Sequence, residues 1–238
     1  MLELYFAPTP NGWKTTIMLE ECGLDYQLKL VNIGSGEQFK EPFLSLSPNA
    51  RIPALIDRQP KDDHGRVMPD VELFESGSIL TYLAEKTGLF IGKSRADFHR
   101  VNQWLHWQMA NLGPIGGQVS HFINYAPDGN DYSKQRYLNE YDRLLAVMNY
   151  QLQKTPYLGG EYYSIADIAC FPWLLPYKNY GIALTQFTHL KRWYDELKQR
   201  PALRRGVDVG KEWRPENPPD ASMRKVLFNQ NSDQYKDK

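Results

Sequence analysis

The periodicity of this chain changes once, and that change constrains the fold more than any other feature. Up to about residue 88, short β-prone runs alternate with helical ones; beyond it only helical spacing recurs. Leu2 to Phe6 alternates and is β-prone, and Ala7 to Gly12 is turn-rich. Trp13, Ile17, Met18 and Cys22 then stand at helical spacing until Gly23 stops them. Tyr26 to Val31 reads as a second strand and Phe39 to Leu46 as a short helix. Ala54 to Ile56 reads as a strand opening after Pro53, and Val71 to Phe74 as the last. Ser76 caps a helix running from Gly77 to about Lys86, ended by Gly88.

That order, β-α-β-α-β-β-α in under ninety residues, describes a thioredoxin-like unit, with Arg58 to Pro69 leaving it as a charged surface hairpin. Residues 89–94 make a linker. Phe98, Val101, Leu105, Met109 and Leu112 then mark one helical face, and Tyr137, Tyr141, Leu144, Leu145, Met148 and Leu152 a second. A third helix begins at Ser164, where Ser164-Ile165-Ala166-Asp167 spells a capping box with Tyr163 and Ile168 as its staple. A fourth runs from about Phe187 to Gln199. The fold class is therefore α/β plus all-α: residues 1–88 thioredoxin-like, residues 95–210 a helical bundle. Residues 211–238 form a polar, proline-rich tail (Pro215, Pro218, Pro219) anchored by Trp213, Leu227 and Phe228, and read as partly ordered.

With 28 basic and 28 acidic residues the net charge is zero, so no global field draws nucleic acid or an anionic membrane. No apolar run approaches the ~20 residues that cross a bilayer. The chain opens on Leu-Glu-Leu-Tyr-Phe rather than on a signal peptide, and a cytoplasmic protein is the expectation. Cys22 and Cys170 lie in helical patterns as core-lining thiols, and without a Cys-x-x-Cys pair no dithiol mechanism rests on the protein's own sulfurs. The histidines (His64, His99, His106, His121, His189) show no metal-ligand spacing, so no metal is expected.

The segment Leu46-Ser-Pro-Asn-Ala-Arg-Ile-Pro-Ala-Leu-Ile-Asp57 ends a loop at Pro53 and feeds a short apolar strand. Proline has no N–H to give a ladder, so Pro53 belongs at a strand's first position or its edge. A cis Ile52–Pro53 bond would turn the Ile52 N–H and C=O outward, as a docking edge for another extended peptide. The alternative is a plain loop-to-strand proline with no ligand. Asn49-Ala50-Arg51-Ile52-Pro53, Phe74-Glu75-Ser76-Gly77, Tyr5-Phe6-Ala7-Pro8-Thr9-Pro10-Asn11-Gly12 and Ser164-Ile165-Ala166-Asp167, in that family's order, resemble the glutathione transferases over roughly residues 1 to 205. Thr9-Pro10-Asn11-Gly12 and Gly36-Glu37-Gln38-Phe39 look most like the bacterial nu class, whose members are glutathione-dependent disulfide reductases.

The resemblance implies a homodimer with glutathione, reduced or as its disulfide, as co-substrate. The Ile52 backbone, after which Pro53 follows, would pair with the cysteinyl part of the tripeptide. Ser76 would donate to the γ-glutamyl carboxylate at a helix N-terminus, and Glu75 would take the α-ammonium. Gln38 and Arg51 fall near the glycyl end. Many glutathione transferases hold the thiolate with tyrosine, serine or cysteine; here Tyr5 sits inside a strand as a packing residue, and the turn offers Thr9, Asn11 and a helix start near Gly12. Lowering a thiol pKa by two units takes ~2.7 kcal/mol, within reach of one or two charge-assisted hydrogen bonds. Lys14, one turn into that helix, would add positive charge near the sulfur, but reads instead as a solvated lysine. Arg136, matching an arginine that reaches the partner's glutathione in nu-class relatives, reads either so or as an exposed helical arginine. The expected activity is reduction of small disulfides, and of hydroperoxides, by ligand sulfurs; the alternatives are conjugation of glutathione to electrophiles and a non-catalytic regulatory module.

Overall fold

The computed structural model describes residues 1–214 and 218–235; Pro215 and the last three residues of the tail lie outside the described residues. The N-terminal unit runs β1 (Leu2–Phe6), α1 (Pro10–Cys22), β2 (Tyr26–Leu30), α2 (Phe43–Leu46), β3 (Ala54–Asp57), β4 (Val71–Phe74) and α3 (Ser76–Thr87). Its sheet has the order β2-β1-β3-β4, with β1 parallel to β2 and antiparallel to β3, and β3 antiparallel to β4. Period-two alternation sorts the side chains. Leu2, Leu4, Phe6 and Leu55 enter the main core with Ile17, Met18, Ile79 and Leu80, whereas Ala54 and Ile56 meet Val31, Phe43 and Leu46 in a smaller cluster. Tyr5 packs on Phe43, with ring centroids 6.0 Å apart, as its strand position predicts.

The remainder is helical: α4 (Arg95–Trp107), a π turn (Gln108–Leu112), α5 (Gly113–Asn124), α6 (Asp131–Leu152), α7 (Ile165–Leu174), α8 (Thr188–Lys198), α9 (Pro201–Asp208) and α10 (Ala221–Phe228). All ten residues of α7 are buried, the mark of a helix that is apolar on every side. The Ser164–Asp167 capping box forms: Asp167 Oδ2 accepts from Ser164 N at 3.0 Å and from Ser164 Oγ at 2.9 Å. Its Oδ1 accepts from Leu158 N and Trp193 Nε1, at 2.9 and 2.8 Å.

Several expectations are corrected. α1 begins at Pro10 rather than near Gly12, because proline at the first helical position is pre-set in φ and Thr9 takes the N-cap. Ser76 does not cap α3; it is the first helical residue, and Glu75 holds the cap position at φ +69°. Two short helices, α9 and α10, went unread. Pro201 marks the start of the first and Asp220, whose carboxylate accepts from Met223 N at 2.9 Å, that of the second. α9 crosses α1 so closely that a Cβ on Gly206 would stand 2.5 Å from the Ile17 Cα, and Thr16 Oγ1 donates to the Gly206 carbonyl at 2.7 Å. Arg200 grips Glu21 through two 2.7 Å bonds beside that crossing. α1 is thereby held between sheet and bundle. The tail returns over the body: Phe228 stacks on Tyr125 and meets His121 edge-on.

Candidate functional site

Thr9 opens the site from β1. Gly12 follows because a Cβ there would lie 2.2 Å from the Ala7 carbonyl oxygen, so no larger residue lets the turn close on the strand. Thr9 Oγ1 accepts from Gly12 N at 3.5 Å. Asn11 points its Oδ1 at Trp173 Nε1 of α7, 3.1 Å away. An indole N–H only donates, so it fixes which end of the amide is the oxygen and leaves Nδ2 free to donate elsewhere.

Across from this turn, the Ile52–Pro53 bond is cis, and the β3 registers stop at Ala54 on both sides. The Ile52 peptide therefore has no ladder partner among the described residues. Ser47 pins the preceding loop, donating Oγ to the Arg51 carbonyl at 2.8 Å and accepting from Arg51 N at 3.4 Å. Glu75 joins the wall in the left-handed region, a conformation that costs a non-glycine residue ~1–2 kcal/mol and concentrates at functional sites. Ser76, Gly77 and Ser78 present first-turn N–H groups that an α-helix cannot satisfy internally.

Asn11, Ser47, Asn49, Arg51, Ile52, Pro53, Phe74, Glu75 and Ser76 together line a cavity of about 220 Å³. Six of the nine sequence-derived candidates are thus brought together. Thr9 lies on the other side of its turn, in a second cavity of about 510 Å³ with Ala7, Leu30, Ile33, Trp213, Met223 and Leu227. Gln38 lines neither: it is 2% exposed, donates Nε2 to the Ile33 carbonyl at 3.1 Å, and its Oε1 finds no partner among the described residues. Arg136 stands apart on α6, 60% exposed and 3.8 Å from Glu140.

Lys14 overturns its sequence reading. It is 1% exposed, and its ammonium donates to Gln108 Oε1 at 2.7 Å, Ser76 Oγ at 3.3 Å and Met109 Sδ at 3.5 Å. Burial lowers its pKa to about 7, against the upward pull of Glu75. Nothing local signals this burial, because Gln108 and Met109 arrive from the bundle. Cys170 is fully buried and Cys22 half-buried, and burial pushes both thiols up, away from the thiolate a nucleophile needs. Ser47 and Asn49 were also missed, though the turn-rich Ser-Pro-Asn sequence signals the loop that carries them.

The N-terminal domain of the glutathione S-transferases matches residues 1–85, and the C-terminal domain of the same family matches residues 117–201. The chain belongs to the glutathione S-transferase family. It is 48% identical over 202 residues to the disulfide-bond oxidoreductase YfcG of Escherichia coli (strain K12), covering 85% of this chain and 92% of that one. The disulfide-bond oxidoreductase YghU of the same organism is 38% identical over 223 residues, covering 88% and 75%. Among solved structures, a glutathione transferase of Pseudomonas putida with one glutathione disulfide bound per subunit resembles the chain with a TM-score of 0.79. Identity there is 38%, over 87% of this chain and 91% of that one. A Burkholderia graminis glutathione transferase with two glutathione molecules bound per subunit gives 0.78 at 39% identity, over 88% of each chain.

Proposed function

We propose that this transferase-family chain is a nu-class, glutathione-dependent thiol–disulfide oxidoreductase that reduces small disulfides, and organic hydroperoxides beside them, without using a cysteine of its own. The observation that carries the reading is the pair of cavities meeting at the Thr9–Asn11 turn. One is polar and edged by an unpaired peptide; the other is larger and mostly apolar. Relatives named disulfide-bond oxidoreductases, and a related structure holding two glutathione molecules, support it.

One glutathione occupies the polar cavity. The Ile52 peptide pairs with its cysteinyl backbone, Ser76 Oγ and the first N–H groups of α3 take the γ-glutamyl carboxylate, and Glu75 takes the α-ammonium. Arg51 serves the glycyl end, while Gln38, buried away from the cavity, braces the Ile33 carbonyl instead. The sulfur then lies at the turn, where Asn11 Nδ2 and Thr9 Oγ1 donate to the thiolate and hold it ionised near neutrality. The thiolate attacks one sulfur of the bound disulfide, forming a mixed disulfide and expelling the other half as a thiolate that takes up a proton. A second glutathione thiolate attacks the glutathione sulfur of the mixed disulfide, releasing glutathione disulfide and the second thiol. Two electrons pass from two glutathiones to one substrate disulfide.

The unit of residues 1–88 binds glutathione, residues 89–94 link it to the bundle of residues 95–210, and Trp213, Pro219, Met223 and Leu227 of the 211–238 tail border the substrate cavity. A homodimer brings Arg136 of one subunit to the other's glutathione. The cytoplasm, where glutathione is kept reduced, is the compartment this chemistry needs. Steady-state reduction of a small hydroxyalkyl disulfide by glutathione, run beside conjugation to an aromatic halide, tests the reading. Disulfide turnover far above conjugation supports it; conjugation ahead makes the protein an ordinary transferase, and binding without turnover a regulatory module.

A further inference from the structure

Lys14 has no part in the reaction written above, yet its three N–H groups meet three acceptors: Gln108 Oε1, Ser76 Oγ and Met109 Sδ. A lysine ammonium donates three times and accepts nothing, so the group is satisfied only while it keeps its proton. The effect on Ser76 is specific. With one lone pair taken by Lys14, its hydroxyl must turn its single proton elsewhere, and that proton now rests on Met109 Sδ at 3.6 Å, a weak acceptor. Ser76 lines the polar cavity, so a carboxylate entering at the start of α3 is a far stronger acceptor for the same proton. It would also find the ammonium one atom behind the hydroxyl.

We propose that Lys14 is the positioning residue of the carboxylate subsite, and that the γ-glutamyl carboxylate binds with uptake of a proton onto Lys14. The inference rests on the assignment of that carboxylate to Ser76. The groups acting on Lys14 are few. Glu75 at the head of α3 favours the charged amine and the Cys170 thiol of α7, kept neutral by burial, adds no charge near pH 7, while burial opposes the charged amine and brings its titration to about pH 7. Gln108 and Met109 of the π turn carry no charge. On α9, which meets α1 at Ile17, Arg205 is engaged with Glu20, and Arg200 just before it with Glu21. An arriving anion raises the affinity of Lys14 for its proton, and by linkage the protonated protein binds the anion more tightly. Affinity is then highest below pH 7 and falls as the pH rises through that value.

The test is calorimetric titration of the full chain with S-methylglutathione, whose blocked sulfur does not ionise, from pH 6 to 8.5 in buffers of different ionisation enthalpy. The wild type is expected to weaken about five- to tenfold over that range while taking up about half a proton near pH 7.5. Lys14→Met, close in shape and uncharged, is expected to bind about tenfold more weakly at pH 6 and to lose most of the slope. The ligand's own amine titrates identically against both proteins and cancels in the difference. A Lys14→Met protein that keeps the slope overturns the proposal, as does a wild type that takes up no proton, a result that stands even where the variant fails to fold. A wild type that does not bind the ligand at any pH overturns the glutathione reading as well, which separates the two failures.

Discussion

The two cavities that flank the Thr9–Asn11 turn are built from opposite materials. The smaller is walled by an amide, two loop side chains, an unpaired peptide, a carboxylate and a hydroxyl at a helix start; the larger by Ala7, Leu30, Val31, Ile33, Trp213, Met223 and Leu227. Fixed polar groups reject any ligand that leaves them unpaired, because each orphaned group forfeits its desolvation cost. An apolar wall of side chains from separate elements discriminates weakly between hydrocarbons. On the function proposed above, one cavity holds a single constant molecule and the other accepts a range of partners for its sulfur.

That contrast can be broken most sharply at Glu75. Glu75→Ala is expected to raise the KM for glutathione about 30- to 100-fold, by the same factor whichever disulfide is reduced, since a charge-assisted hydrogen bond is lost. A factor that varied with the disulfide would merge the two cavities into one. At the boundary itself, Asn11→Ala should lower kcat about 10- to 30-fold while leaving the glutathione Kd within about threefold, because its donor acts on the sulfur rather than the peptide. Equal losses in both would assign Asn11 to binding. Trp173→Phe should repeat a smaller share of the kcat loss, because the amide is then free to turn its oxygen toward the sulfur.

On the apolar side, a chain ending at Arg214 should raise the KM for bulky apolar disulfides about three- to tenfold and leave glutathione binding within about twofold. Stability separates the two walls again. Folded Lys14 gives up its proton near pH 7 and an unfolded lysine near 10.5. Between those values the unfolded chain holds more protons, so this group makes stability rise with pH across that window. Lys14→Met removes that slope. At pH 7 it should melt at or above the wild-type temperature, since burying the charge costs up to ~5 kcal/mol and leaving Gln108 without its donor ~1–3 kcal/mol. Leu227→Ala should melt lower; thermal scans at pH 7 and 9 read both. Smallest of all, replacing Cys22 and Cys170 together by alanine should leave disulfide turnover within about twofold in protein that remains folded. Abolished turnover would return the redox chemistry to the protein's own sulfurs.

What could be read from the sequence follows how locally each feature is made. The succession of strands and helices along the chain, the unpaired edge before Ala54 and the Glu75-Ser76 corner depend on turn residues and alternation within short windows, and they stand close to where the residues predicted. The capping box at Ser164 is equally local. Lys14 was misread because its neighbours Gln108 and Met109 lie 94 and 95 residues away. Even so, the unbroken buried run from Lys14 to Leu19 belongs to a helix enclosed on nearly all sides. Thr9 and Asn11 line different cavities, on either side of a helix that starts at Pro10, two residues earlier than the sequence suggests. α10 had a readable signature in Asp220 followed by Met223, Val226 and Leu227, masked by the surrounding prolines.

The bond from Trp173 to Asn11 also has a bearing on when the protein can work. A chain emerging from the ribosome can complete its sheet and α1 long before α7 exists, since domains fold as their residues appear. Until residue 173 has been made and α7 has docked, nothing chooses between the two orientations of the Asn11 amide. On the reading proposed above, a half-made chain can hold glutathione without ionising its sulfur effectively, and competence arrives only once α7 has docked.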